Sequence, residues 1–257
     1  MRNEERFVGR AVSNAEAFCD EVLLVDRSST DATPEILRCI VEADPIKFAF
    51  HSLKHPRDSH SLLQAYVGKD VWVFAVDGDE IYDPAGLAVM RRRVLAGEFA
   101  NQWMILGNVV HCVELDEEAG FARGYAAPPS RSMVKFYNFA AIDAWDGDTP
   151  ERLHGGTIRF RDGYHEHLKF EMNKVHGWDD SPFRCLHMCF LRRSSVDPDR
   201  VHGARESIIE TFYGGWTSRL QRIARRLAGE PENSASKRER YARGAIITVP
   251  TAPFFTV

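Results

Sequence analysis

Val22-Leu23-Leu24-Val25-Asp26, followed by Arg27-Ser28-Ser29-Thr30-Asp31-Ala32-Thr33-Pro34, sets the fold class. A continuous apolar run is what a parallel strand covered on both faces requires. This one stops at an acid, crosses a polar turn and meets a helix start with proline at the first helical position. Ile36, Leu37, Ile40 and Val41 give that helix its buried stripe. Before the strand, Phe7, Val8, Ala11, Val12, Ala15 and Phe18 have helical spacing; after it, 46–53 reads as a second strand and 59–67 as a short helix. Val71-Trp72-Val73-Phe74-Ala75-Val76 is a third strand, ending at Asp77-Gly78-Asp79-Glu80 and followed by a helix from Pro84 to about Leu95. This alternation predicts a doubly wound, mostly parallel α/β sheet flanked by helices.

The second half is less regular. Residues 103–115 read as one long strand, 120–132 (with Pro128-Pro129) as a loop, 133–139 as a strand, 143–156 as a loop and 183–191 as a strand. Residues 204–227 have helical spacing, and 229–236 read as a linker. The expected division is a domain over 1–200, with halves of about 1–100 and 101–200, and a C-terminal helical extension and tail over 201–257.

The 257 residues carry 33 Lys+Arg against 37 Asp+Glu, a net charge of −4, with 44% hydrophobic and 11% aromatic residues. That composition supports a large core and excludes a disordered chain. Mild acidity argues against general nucleic-acid binding. The apolar runs fall far short of the ~20 residues that cross a bilayer. Met1-Arg2-Asn3-Glu4-Glu5 is too charged for a leader segment. Five cysteines, Cys19, Cys39, Cys112, Cys185 and Cys189, are odd in number and set among apolar neighbours, which fits reduced thiols. A cytoplasmic protein is expected.

Chemistry enters at the strand ends. Ligands of open parallel sheets bind beyond the carboxyl ends of the strands, where Asp26 and Asp77-Gly78-Asp79-Glu80 stand. Carboxylates gathered there need cations or donors to stay ionised. A hard divalent ion completed by substrate phosphates is one solution. Cys185-Leu186-His187-Met188-Cys189 invites a zinc reading, but the second, distant pair of ligands usual for zinc is not visible. Positions 185, 187 and 189 instead share one face of a strand.

Taken together, Asn3-Glu4-Glu5, the stretch Glu21 to Leu37 and Trp72 to Glu80 resemble the family 2 glycosyltransferases of GT-A fold, a Rossmann-like architecture. The resemblance covers about the first ninety residues. It continues more weakly in Asp162-Gly163-Tyr164-His165-Glu166-His167-Leu168 and Cys185-Leu186-His187-Met188, which are similar to segments of the bacterial surface-glycan branch. The resemblance implies a nucleotide-diphosphate sugar donor bound by Arg2, Asn3, Glu4, Asp26 and Asp77. It implies Mn²⁺ or Mg²⁺ held by Asp79, with His187 as a second ligand, and an inverting transfer to an acceptor hydroxyl. Glu166 matches the family's general base, with Asp179 and Asp180 as the runner-up pair. Family members begin with an apolar strand reading into Asn-Glu; here either that strand is cut short in the sequence or another segment, for which the tail Ala245 to Val249 is a candidate, fills the sheet.

The acceptor is not specified by these residues. Two other functions stand beside the transfer: a nucleotidyltransferase, whose Gly-rich phosphate loop is not visible, and a non-catalytic nucleotide-sugar-binding relative. Residues Arg205 to Arg226 alternate apolar side chains with arginines. They read first as a helix packed on the domain and second as a basic amphipathic helix resting on the inner face of a membrane.

Overall fold

The computed structural model describes residues 1–54, 58–132, 134–146, 156–197 and 240–255. It is a mixed α/β fold. Thirteen strands occur among those residues: β1 (Val22–Asp26), β2 (Phe48–Ser52), β3 (Trp72–Phe74), β4 (Glu80–Tyr82), β5 (Met104–Leu106), β6 (Asn108–Asp116), β7 (Phe121–Ala127), β8 (Val134–Asn138), β9 (Ile142–Asp146), β10 (Thr157–Phe160), β11 (Lys169–Glu171), β12 (Arg184–His187) and β13 (Ile246–Pro250). The main helices are α1 (Val8–Glu16), α2 (Thr33–Ala43) and α4 (Pro84–Leu95), with the short α3 (Asp58–Leu63) between the last two. No helix among the described residues is long and apolar enough to cross a membrane.

The expected parallel core is present only in part. β1 pairs with β2 in parallel, in the register Val22 with Phe48 to Asp26 with Ser52. β12 with β6 and β11 with β5 are also parallel. The other ladders are antiparallel, in a five-stranded sheet of order β13-β7-β6-β12-β4, a four-stranded sheet of order β11-β5-β8-β3 and the pair β10-β9. No ladder among the described residues joins β1 to β3. Instead Val22–Val25 and Val71–Val76 both line one groove. Met1 makes a single parallel bridge to β1: its ammonium donates to Val25 O at 2.8 Å and its carbonyl accepts from Arg27 N at 2.9 Å. Burial lowers the pKa of that ammonium to about 5.

Local physics explains where the sequence reading needs correction. The long strand expected over 103–115 breaks at Gly107, where a Cβ would lie 2.7 Å from the Phe183 carbonyl oxygen; the break gives β5 and β6 to different sheets. The loop expected over 120–132 is largely β7, antiparallel to β6. Gly124, read as loop chemistry, is required by packing: a Cβ there would meet His111 O at 2.2 Å. The loop expected over 143–156 begins as β9, and 147–155 lie outside the described residues. Ile246–Pro250 pairs with β7 and not beside β1. The stretch Arg205 to Arg226 and the linker 229–236 also lie outside the described residues.

An aromatic core fixes the layers. Phe74 packs 5.1 Å from Phe18 and 4.8 Å from Tyr82 between ring centroids, and Phe136 and Phe183 close the cluster. Asn14 pins α1 to the sheet, its side-chain amide donating to the carbonyls of Tyr82 and Phe254, both at 2.8 Å. These contacts pack α1 and the segment after it against β3, β4 and β8.

Candidate functional site

The N-terminal segment is tied to the turn after β1 by a polar knot. Asn3 N donates to Ser29 Oγ at 2.8 Å, and Thr30 N donates back to Asn3 Oδ1 at 2.8 Å. Asn3 has a φ of 55°, a left-handed conformation that asparagine tolerates better than most residues. Glu4 N donates to Thr33 Oγ1 at 2.8 Å, and Ala32 N donates to Glu5 Oε2 at 2.9 Å. The side chains of Asn3 and Glu5 therefore accept from backbone donors in the turn leading into α2, and Glu4 is tied there by its own backbone N–H, a structural role the sequence did not disclose.

Gly78 then brings the turn after β3 against the same segment. A Cβ at Gly78 would lie 2.9 Å from Glu4 Cβ, so only glycine allows this approach. The two acids of Asp77-Gly78-Asp79 go different ways. Asp77 Oδ2 lies 2.7 Å from Lys135 Nζ, and that ammonium holds its carboxyl well below the usual range. Lys135 also lies 3.0 Å from Glu80, which is fully buried; burial pushes the Glu80 carboxyl up to about 8. Burial works against the Lys135 ammonium too, but Asp77 and Glu80 outweigh it and raise its pKa well above the ordinary value. Asp79 is buried and ion-paired with Arg193, whose guanidinium also reaches Glu4 Oε1 at 3.3 Å.

Behind Asp79 stands a second cluster. His187, at the end of β12, places Nε2 3.5 Å from Asp79 Oδ2 and Nδ1 2.8 Å from His111 Nδ1. The partners are in register, since β12 pairs His187 with His111 of β6. His111 Nε2 lies 3.0 Å from the Arg131 carbonyl oxygen, and Cys189 Sγ lies 3.9 Å from His111 Nδ1. Burial, then the neighbouring His187, lowers the His111 pKa to about 3, so its imidazole is neutral. Tyr241 covers both rings, with centroids 4.5 Å from His111 and 5.5 Å from His187.

A groove of about 1530 Å³ gathers most of the expected residues: Arg2, Asn3, Glu4, Asp77, Asp79 and His187 all line it. Arg27, Arg131, Lys135 and Arg193 add cations to the same walls. Asp26 does not line the groove. It is buried beneath the turn, where Oδ2 accepts from Ser29 N at 3.3 Å and the buried Oδ1 has no hydrogen-bond partner. Glu166, Asp179 and Asp180 are exposed and outside the groove lining. Glu166 faces His167 at 3.3 Å, Asp180 faces His176 at 3.2 Å, and the Asp179 carbonyl accepts from Arg184 at 3.0 Å.

The sequence reading missed Lys135, Arg193, His111 and Tyr241. Two of these carried a signal: Lys135 interrupts the apolar strand Val134-Lys135-Phe136, and His111 interrupts Val109-Val110-His111-Cys112. A polar side chain in such a run must have a buried partner, because leaving it unpaired costs several kcal/mol at most and ~1–3 kcal/mol typically. Compared with known protein families and with curated proteins, the chain matches none.

Proposed function

We propose that the groove is the donor site of a metal-dependent, inverting glycosyltransferase of GT-A fold, which moves a sugar from a nucleotide-diphosphate sugar to an acceptor hydroxyl. One observation carries this reading: the Asp77-Gly78-Asp79 turn packs against Asn3-Glu4 in a groove whose walls also present Arg2, Arg27, Lys135 and Arg193. Anionic phosphates need such cations, and the groove is roomy enough for a ligand larger than most drug-sized molecules. Asp26 does not line the groove and adds nothing to this reading.

The donor set at Asp79 and His187, a carboxylate oxygen 3.5 Å from an imidazole nitrogen, fits a first-row divalent ion and favours Mn²⁺ over Mg²⁺. When bound, such an ion supplies Lewis-acid neutralisation of the leaving diphosphate. The chain's own cations act beside it. Arg193 holds Asp79 in place in the free protein, and Lys135 and Arg2 face the volume where phosphate charge would sit. Inversion needs a base at the acceptor hydroxyl. For that role the reading keeps Glu166, then Asp179 or Asp180, although none of them lines the groove.

A nucleotide-release assay over a panel of nucleotide-diphosphate sugars, with and without Mn²⁺, tests the reading. Asp79→Asn keeps the shape and removes the charge, so it should abolish metal-stimulated turnover. Glu166→Gln should lower turnover by roughly 10²–10⁴-fold with donor affinity retained, if the base is placed correctly. Full metal-stimulated activity in Asp79→Asn would remove the site from consideration.

A further inference from the structure

We propose that His111, His187 and Cys189 form a binding site for a zinc-like divalent cation, opening onto the groove. The proposal does not depend on glycosyl transfer; it shares His187 with the donor set read at Asp79, so the two ions would compete for this imidazole.

The three side chains come from two sheet-paired strands and the turn that follows one of them, and all are buried. Their donor atoms lie within 4.8 Å of one another. Ligands about 2.05 Å from a tetrahedral ion stand about 3.3 Å apart, and an imidazole nitrogen and a thiolate about 3.5 Å apart. The observed separations are 2.8 Å between the two Nδ1 atoms and 3.9 Å from Cys189 Sγ to His111 Nδ1. Adjustments of about half an ångström bring these two pairs to the ideal separations, and the third pair, Cys189 and His187, lies within 4.8 Å. Two imidazoles and a thiolate suit Zn²⁺ and Co²⁺, and disfavour Mg²⁺.

The proton arrangement points the same way. A carbonyl only accepts, so His111 Nε2 must carry the proton that meets Arg131 O, and Nδ1 presents a lone pair. In the metal-free protein the 2.8 Å contact then requires His187 Nδ1 to donate. His187 Nε2 lies 3.5 Å from the Asp79 carboxylate. A cation between the two Nδ1 atoms would take the place of the proton shared there. The His187 proton moves to Nε2 and faces Asp79, the Cys189 thiol gives up its proton to solvent, and both ring nitrogens keep a lone pair for the ion. Each imidazole then has the outer partner that metal-bound histidines usually show: a backbone carbonyl for His111 and a carboxylate for His187.

His187 and Cys189 line the groove, and so does Tyr241 above them. A three-ligand ion here would keep its fourth position toward the groove, where a phosphate or hydroxyl oxygen of a bound molecule can complete it.

The test uses the whole protein without nucleotide. Dialysis against Zn²⁺ in the presence of excess Mg²⁺ should leave one tightly held zinc per chain. X-ray absorption at the zinc edge should show one sulfur at about 2.3 Å and nitrogen ligands at about 2.0–2.1 Å. Co²⁺ should give a thiolate charge-transfer band that Cys189→Ser removes. His111→Gln should weaken zinc binding more than Asp79→Asn, for which a roughly 10–100-fold loss is expected of an outer partner. The spectroscopy needs no variant, so a misfolded substitution does not decide the matter. No retained zinc, a first shell without sulfur, or a cobalt band that survives Cys189→Ser in folded protein would overturn the proposal. Nucleotide binding measured separately in zinc-free protein keeps this outcome distinct from that of the donor-site reading.

Discussion

Two polar clusters meet under the same groove and are built on opposite principles. Around Asp77 and Asp79 the carboxylates are matched by Lys135 and Arg193, charge against charge, with the buried Glu80 beside Lys135. Around His111, His187 and Cys189 the groups are imidazole and thiol, turning lone pairs toward one another. The acidic cluster is announced by one short motif, Asp77-Gly78-Asp79, whereas the other is assembled from residues 78 positions apart in the chain. Asp79 joins the two, with Arg193 on one side and His187 on the other. A contiguous motif thus shows where charge is concentrated, but its state depends on strands that fold against it from far away.

The contrast can be broken by substitution. The largest effect is expected at Arg193. Arg193→Ala leaves Asp79 and Glu4 buried without their guanidinium and should cost about 3–5 kcal/mol in urea unfolding. Cys189→Ser in metal-free protein should cost about 1 kcal/mol, because no buried charge loses its partner. Equal losses would mean that the two clusters do not differ as described.

Lys135→Met comes next. At pH 8 and above it should cost about 3 kcal/mol, chiefly because the buried Glu80 loses its cation, while the half-exposed Asp77 is rehydrated and adds little. Near pH 5 the loss should shrink, because Glu80, with a carboxyl already pushed up to about 8, can take up a proton instead. A cost independent of pH would show that Glu80 does not titrate in the folded protein.

The smallest effect is a slope. A carboxyl raised from 4.5 to about 8 by folding keeps its proton in the native state while the unfolded chain loses it. Glu80 therefore contributes stability that is fully present below pH 4.5 and is lost as pH rises to about 8. His111 works in the opposite sense lower down: its pKa falls from 6.5 to about 3, so its contribution is lost as pH falls from 6.5 toward 3. Glu80→Gln should flatten the decline between pH 6.5 and 8 and leave the acid limb unchanged. His111→Gln should do the reverse.

Much of the first half was legible because its signals are local. Apolar runs gave β1 and β3 to within a few residues, and Thr33-Pro34 and Pro84 marked the starts of α2 and α4. The mixed pairing was not legible, because the close backbone approaches that require Gly107, inside a segment read as one strand, and Gly124, inside one read as a loop, leave no mark in the local pattern. The site divides in the same way. Arg2, Asn3, Glu4, Asp77 and Asp79 line one groove, whereas Asp26 of the same expected set does not. The zinc reading of Cys185 to Cys189 was set aside for want of distant ligands, yet strand register supplies His111 beside His187. Cys185 takes no part and is buried against Tyr82 in the core. Pairing between strands is a long-range property, and no spacing rule within either segment reports it.

The central claim is that the groove under the Asp77-Gly78-Asp79 turn binds a nucleotide-diphosphate sugar. Calorimetric titration of the folded protein with a panel of such sugars, in Mn²⁺ buffer and in buffer with chelator, tests it most directly. The account predicts saturable binding of one nucleotide class, weakened by chelation and by Asp79→Asn, with a stability gain of about 2.7 kcal/mol when the ligand stands at 100 times its Kd. Absence of binding across the panel, or binding that Asp79→Asn leaves unchanged, would contradict it.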